Sequence, residues 1–261
     1  MISFALVLAI IMTAIVVLKW DTFFPPKAEL KTPTELEAPI SEKNMTWILN
    51  NNTGVLEPKQ EEIITLINDV PFTSQAPFGN WGNLIYEEWC EEASILMAVY
   101  WERGLQITDT IANEEIRNIA SLEEQLFWVS HDTSLFDTAK VMEEYFSFTK
   151  YSIKEDIQKS DIIQSLRNNK ILLVPVYGRD LPNIYYTPPW PIPHMLVIVW
   201  YDSEKREFIT NDPGTKYGEW YRYNEDILFD AMWLYPTSSE IKLIPPEADE
   251  VRKKAMIEVY K

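Results

Sequence analysis

Cys90 is the only cysteine of the chain, and it stands where a loop rich in Trp, Gly and Asn gives way to a helical pattern, in Glu88-Trp89-Cys90-Glu91-Glu92-Ala93-Ser94. A single thiol can neither close an intramolecular disulfide nor build a structural zinc site. It is therefore either an inert buried side chain or a nucleophile. A nucleophile must give up its proton, and a free thiol does so only near about pH 8.5. The unpaired N–H groups at a helix start favour that loss. Glu91 and Glu92 oppose it, although on a helix they project about 100° and 200° away from Cys90 and suit the first turn.

A thiol nucleophile needs a base, and the chain has two histidines. His131 lies in Ser130-His131-Asp132-Thr133, between two predicted helices, as a loop residue or cap neighbour. His194 lies in Pro193-His194-Met195-Leu196, at the mouth of an apolar strand, where an imidazole is held rigidly. Its plainer alternative is a strand-end residue bonded to a loop. Asp212, in Asn211-Asp212-Pro213-Gly214, follows the second strand of the hairpin that His194 opens, so antiparallel pairing brings the two together. The same tetrapeptide also makes an ordinary turn unaided. Asp202 is at the far end of that hairpin and is excluded. Upstream, the amide of Gln75 can donate to an oxyanion, with the Cys90 N–H as second donor.

The surrounding elements must place these groups. Residues 90–103 set Ala93, Met97, Tyr100 and Trp101 at helical spacing, with Gly104 as the stop. Residues 113–128 and 134–146 predict two more helices, and 160–169 a shorter one capped by Ser160. Residues 170–177 and 195–201 are apolar runs of buried-strand type. The polar stretch 202–206 turns the second run into 207–210, a hairpin. Residues 218–223 predict a further strand and 225–233 a closing helix, while 69–75 reads as a short strand or extended arm. Helices followed by an antiparallel sheet make an α+β domain.

The order Val70-Pro71-Phe72-x-x-Gln75, Trp81, Cys90-Glu-Glu-Ala-Ser94, Pro193-His194-Met-Leu-Val-Ile and Asn211-Asp212-Pro-Gly214 resembles the C39-like cysteine peptidase family, of papain-like fold, over roughly residues 68–240. The resemblance implies Cys90 as nucleophile, His194 as general base and then acid, Asp212 as its orienter and Gln75 at the oxyanion hole. It implies a peptide or protein substrate and no cofactor or metal. Many papain-like enzymes place the glutamine only a few residues before the cysteine, so here residues 77–89 must loop out. Between the two apolar runs, 180–193 is a proline-stiffened aromatic loop, either a groove wall for an extended peptide or a loop packed on the domain itself. A catalytically inactive peptide-binding module and a thiol acyltransferase are the alternatives to a hydrolase.

With 46% hydrophobic residues the chain can pack a core, and its net charge of −17 repels nucleic-acid phosphate and anionic lipid headgroups. Residues 2–18 carry no charge. As a helix they span about 25 Å, near the short end for crossing a bilayer. Lys19 and Trp20 follow as an interfacial anchor. Nothing basic precedes the run and no small-x-small cleavage site ends it, so residues 1–20 read as an uncleaved transmembrane signal-anchor. Residues 21–66, rich in Pro and Glu, read as a stalk. Residues 67–244 are the expected peptidase domain, placed outside the cytoplasm, and 245–261 read as a charged tail or terminal helix.

Overall fold

The helix that begins at Cys90, α1 (Cys90–Arg103), is buried on nearly every side, its first-turn Glu91 and Glu92 included. A helix of that kind is stable only inside a core. It stops at Gly104, whose left-handed backbone, φ 65°, turns its N–H back onto the Trp101 carbonyl.

The computed structural model describes residues 47–49, 56–58, 70–82, 84–188, 191–237 and 252–261. The chain divides into two units, 1–61 and 62–261. In the first, β1 (Trp47–Leu49) and β2 (Leu56–Pro58) pair antiparallel, so part of the stretch read as a stalk is strand. Residues 1–20, read as a membrane anchor, lie outside the described residues. Among the described residues no helix is long and apolar enough to cross a membrane.

In the second unit α1 is followed by α2 (Asp109–Phe127), α3 (Leu135–Phe146), β3 (Tyr151–Glu155) and α4 (Lys159–Arg167). Then come β4 (Ile171–Tyr177), β5 (Pro193–Asp202), β6 (Glu207–Asn211), β7 (Tyr221–Asn224), α5 (Glu225–Ala231) and β8 (Ala255–Val259). Thr108 caps α2, which therefore starts earlier than residue 113, and Ser134 caps α3. The cap of α4 is not Ser160: the Gln158 N–H donates to the Asp161 carboxylate at 2.7 Å and starts the helix sooner. Residues 70–75 form an extended arm with no ladder.

Six strands form one antiparallel sheet in the order β3-β8-β4-β5-β6-β7. Residues 255–259, read as part of a tail or terminal helix, are instead strand β8, which lies between β3 and β4 with all five of its residues buried. Its apolar pattern is interrupted by Glu258, which the fold accommodates with Lys154 at 2.8 Å, Lys170 at 2.7 Å and the hydroxyls of Ser152 and Ser165. Burial opposes ionisation of Glu258, yet these partners hold its carboxyl down to about 2.

Alternation along each strand gives the sheet two buried faces. Leu173, Met195, Val197 and Ile257 pack towards α1 and α3. Leu172, Leu196, Ile198 and Phe208 pack with Ile162 and Leu166 of α4 and Leu228 of α5. Prolines sit where the ladder asks nothing of them. The Gly178 N–H donates to Ile192, and bonded and non-bonded positions alternate, so Pro175 and Pro193 both fall on non-bonded positions.

Where α1 meets α2, Glu92 and Glu123 are buried, and none of their four oxygens has a good hydrogen-bond partner. Burial, then the Glu123 charge, pushes Glu92 well above the carboxylate range; burial, with the charges of Glu91 and Asp137, pushes Glu123 up to about 8. Both values are raised above the unfolded state, so the associated stability is complete below about pH 4.3 and drains away as pH climbs through the folded values. Glu123→Gln should gain roughly 1–3 kcal/mol on wild type between about pH 5 and pH 9. Denaturant melts across that range check it; parallel profiles would contradict it.

Candidate active site

The backbone of Met195 joins α1 to the sheet. Its partner across β4 is Pro175, and β6 does not extend past the Asn211–Val197 pair, so its peptide groups are free to bond elsewhere. The Met195 N–H donates to Cys90 Sγ at 3.3 Å, and its carbonyl accepts from Ser94 Oγ at 3.4 Å. Cys90 and Ser94 are one helical turn apart, so the first turn of α1 lies with one face against the start of β5. The sulfur therefore rests against the peptide that follows His194.

His194 and Asp212 meet as the hairpin topology required: His194 Nε2 lies 2.8 Å from Asp212 Oδ1, and both side chains are buried. A carboxylate only accepts, so the ring proton is on Nε2 and Nδ1 keeps its lone pair. Two glycines make this closeness possible. A Cβ on Gly214 would stand 2.9 Å from His194 Cε1, and one on Gly218 would run into the Asp212 carbonyl. His131, the other candidate base, is an exposed loop residue near Glu88. Asp202 is occupied by Arg222 at 2.9 Å, at the opposite end of the hairpin.

Asp212 is held by more than His194. Its Oδ2 accepts from Tyr223 at 2.6 Å, Tyr186 at 2.7 Å and Asn183 at 3.2 Å, and the Gly214 N–H reaches Oδ1 at 3.0 Å. Burial works against its ionisation, but the adjacent His194 and the bonds from Tyr223 and Tyr186 outweigh it, and the carboxyl lies below its ordinary range. Sequence reasoning missed these three donors. Asn183 and Tyr186 belong to the aromatic loop, which packs in part on the domain itself: these two are buried, while Ile184 and Tyr185 remain exposed. Their spacing, an Asn and a Tyr inside a proline-rich loop ahead of the histidine, was the one available signal.

Gln75 lies on the extended arm. Its backbone N–H donates to the Pro213 carbonyl at 3.0 Å, and its Nε2 donates to the Glu87 carbonyl at 2.7 Å. The intervening chain does loop out and returns through a 3-10 turn at Leu84–Glu87, just before Cys90. One N–H of the amide remains unassigned, and Oε1 is buried without a partner.

The surroundings of the thiol differ from expectation. Glu91 does not point away into solvent; its flexible side chain folds back, and Cys90 Sγ–H donates to Glu91 Oε2 at 3.1 Å. Burial raises the Cys90 thiol well above its ordinary value, the Glu91 charge and bond and the Asp132 charge raise it further, and only the Met195 N–H acts in the other direction. Among the described residues no cluster of His, Cys, Asp and Glu could hold a metal ion.

The Peptidase_C39 like family matches residues 67–239 of the chain. A solved structure described as a C39-like peptidase from Bacillus anthracis is similar to it at 13% identity and a TM-score of 0.45, over 75% of this chain and 97% of that one. No curated protein matches.

Proposed function

The chain belongs to the Peptidase_C39 like family, and on that premise we propose that it is a papain-like cysteine peptidase cleaving peptide or amide bonds with Cys90, His194 and Asp212. The observation that carries the reading is the 3.3 Å bond from the peptide following His194 to Cys90 Sγ, together with the 2.8 Å His194–Asp212 bond that leaves Nδ1 free. In this scheme His194 Nδ1 takes the thiol proton and the sulfur attacks the acyl carbon. The Cys90 N–H and the unassigned Gln75 N–H receive the oxyanion. Imidazolium returns its proton to the leaving amine, and a water activated by the same ring hydrolyses the thioester. The apolar run at residues 2–18 supports a membrane anchor, and a tethered thiol hydrolase is placed with this domain outside the cytoplasm on functional grounds.

A second reading, a peptide-binding module with an inert thiol, is favoured by one observation: Cys90 is buried and bonded to a carboxylate. The full chain incubated with a mixed peptide library separates the two. Wild type should generate new peptide N-termini by mass spectrometry, and Cys90→Ala none; no cleavage by either would favour the binding module. Products carrying an added amine in place of water would identify acyl transfer.

Tyr186 and Tyr223 are positioning residues in this scheme. Each of Tyr186→Phe and Tyr223→Phe should lower kcat/KM by about 10-fold, the loss of one bond to a charged acceptor. The double variant should exceed their product, because Asp212 Oδ2 then keeps only Asn183. Steady-state kinetics on any peptide the enzyme cleaves would show it.

A further inference from the structure

Glu91 has no part in the scheme above, yet it is fully buried and touches the reacting sulfur. Its Oε2 accepts from Cys90 Sγ at 3.1 Å, and its Oε1 accepts from the Tyr235 hydroxyl at 2.5 Å. Tyr235 follows α5 in the chain and is itself buried, so the carboxylate is clamped between a distant segment and the thiol. Accepting on both oxygens is the bonding pattern of a carboxylate.

We propose that Glu91 is an acid latch: it holds the Cys90 sulfur protonated and turned away from His194 until a substrate fills the site. The inference rests on reading Cys90 as the nucleophile. Every group facing the latch bears on its charge: Cys90 and Glu92 on α1, Glu123 on α2, Asp132 before α3, His194 on β5 and Tyr235 after α5. Burial raises Glu91 itself, and the bonds from Tyr235 and Cys90 act in the other direction; burial and Glu123 raise Glu92, while burial and the charge of Glu91 raise Glu123 and Asp132.

The step balances without an outside reagent. Substrate entry turns the S–H bond from Glu91 Oε2 towards His194 Nδ1, the proton passes to that nitrogen, and the freed sulfur electron pair attacks the acyl carbon. Glu91 stays a carboxylate on Tyr235. A buried carboxylate beside the sulfur makes the free thiolate costly in the empty site, so the resting thiol is poorly reactive.

The test is the pH profile of Cys90 alkylation by iodoacetamide in the full chain, wild type against Glu91→Gln, with circular dichroism confirming the fold. Gln keeps the shape, removes the charge and offers an N–H to the thiolate. Alkylation at neutral pH should accelerate at least about 10-fold in the variant and its midpoint should fall. Superimposable profiles, or slower alkylation in the variant, would overturn the latch. Should the variant not fold, wild type alone decides: thiolate absorbance near 240 nm should rise only above about pH 8.5, and thiolate already present at neutral pH would overturn it. If the variant accelerates alkylation but no peptide is cleaved by wild type, the peptidase reading fails and the latch stands. If cleavage depends on Cys90 and the profiles coincide, only the latch fails.

Discussion

His194→Ala lowers kcat/KM on a cleaved peptide by about 1,000- to 10,000-fold, and adding Cys90→Ala costs little more, because nucleophile and base act as one unit. The argument is geometric. His194 Nε2 is committed to Asp212, so Nδ1 is the one ring atom that can take the thiol proton. Cys90 is buried, and burial together with Glu91 and Asp132 raises its pKa. Without the imidazole the sulfur keeps its proton and the attack is lost. Kinetics of the two single variants and the double variant check this, and multiplicative losses would argue that His194 and Cys90 work apart.

The second large effect falls on Asp212→Asn, expected to lower kcat by about 1,000-fold or more while also destabilising the fold by roughly 1–3 kcal/mol. Both oxygens of Asp212 accept: Oδ1 from His194 and Gly214, Oδ2 from Tyr223, Tyr186 and Asn183. An amide has one NH2, and either placement turns it towards donors. At the Oδ1 position it faces the Gly214 N–H and forces the proton of His194 onto Nδ1, the wrong tautomer for accepting from a thiol. At the Oδ2 position it meets three donors, two of them hydroxyls that can rotate. Thermal melts and single-turnover rates measure the two parts. An Asn variant with wild-type rate would remove Asp212 from the scheme.

Much of the arrangement is legible along the chain because it is local. Apolar spacing from Ala93 to Trp101 and the Gly104 stop define α1, and the apolar run after His194 defines β5. The pairing of His194 with Asp212 follows from hairpin topology, since the end of β6 must return beside the start of β5. What the sequence hides depends on distant partners. β8 reads as tail because Glu258 breaks its run, and only the lysines and serines of β3, α4 and the turn before β4 make that charge tolerable. The donors to Asp212 come from a loop and from β7, with no shared spacing. Glu91 is hidden by the helical wheel itself, which places successive residues apart; the contact arises because a Glu side chain is long enough to fold back, and because Tyr235 meets it from the far side.

The central claim, that Cys90 is a nucleophile served by His194, is tested most directly by a peptide-based electrophile such as a peptidyl epoxide, followed by peptide mapping. A compound of this kind fills the site and so does not depend on the resting state of the thiol. Wild type should form one adduct, on Cys90, and His194→Ala should form it at least about 100-fold more slowly. Equal rates in the two proteins, or peptide cleavage by wild type with Cys90 left unmodified and fully active, would contradict the account.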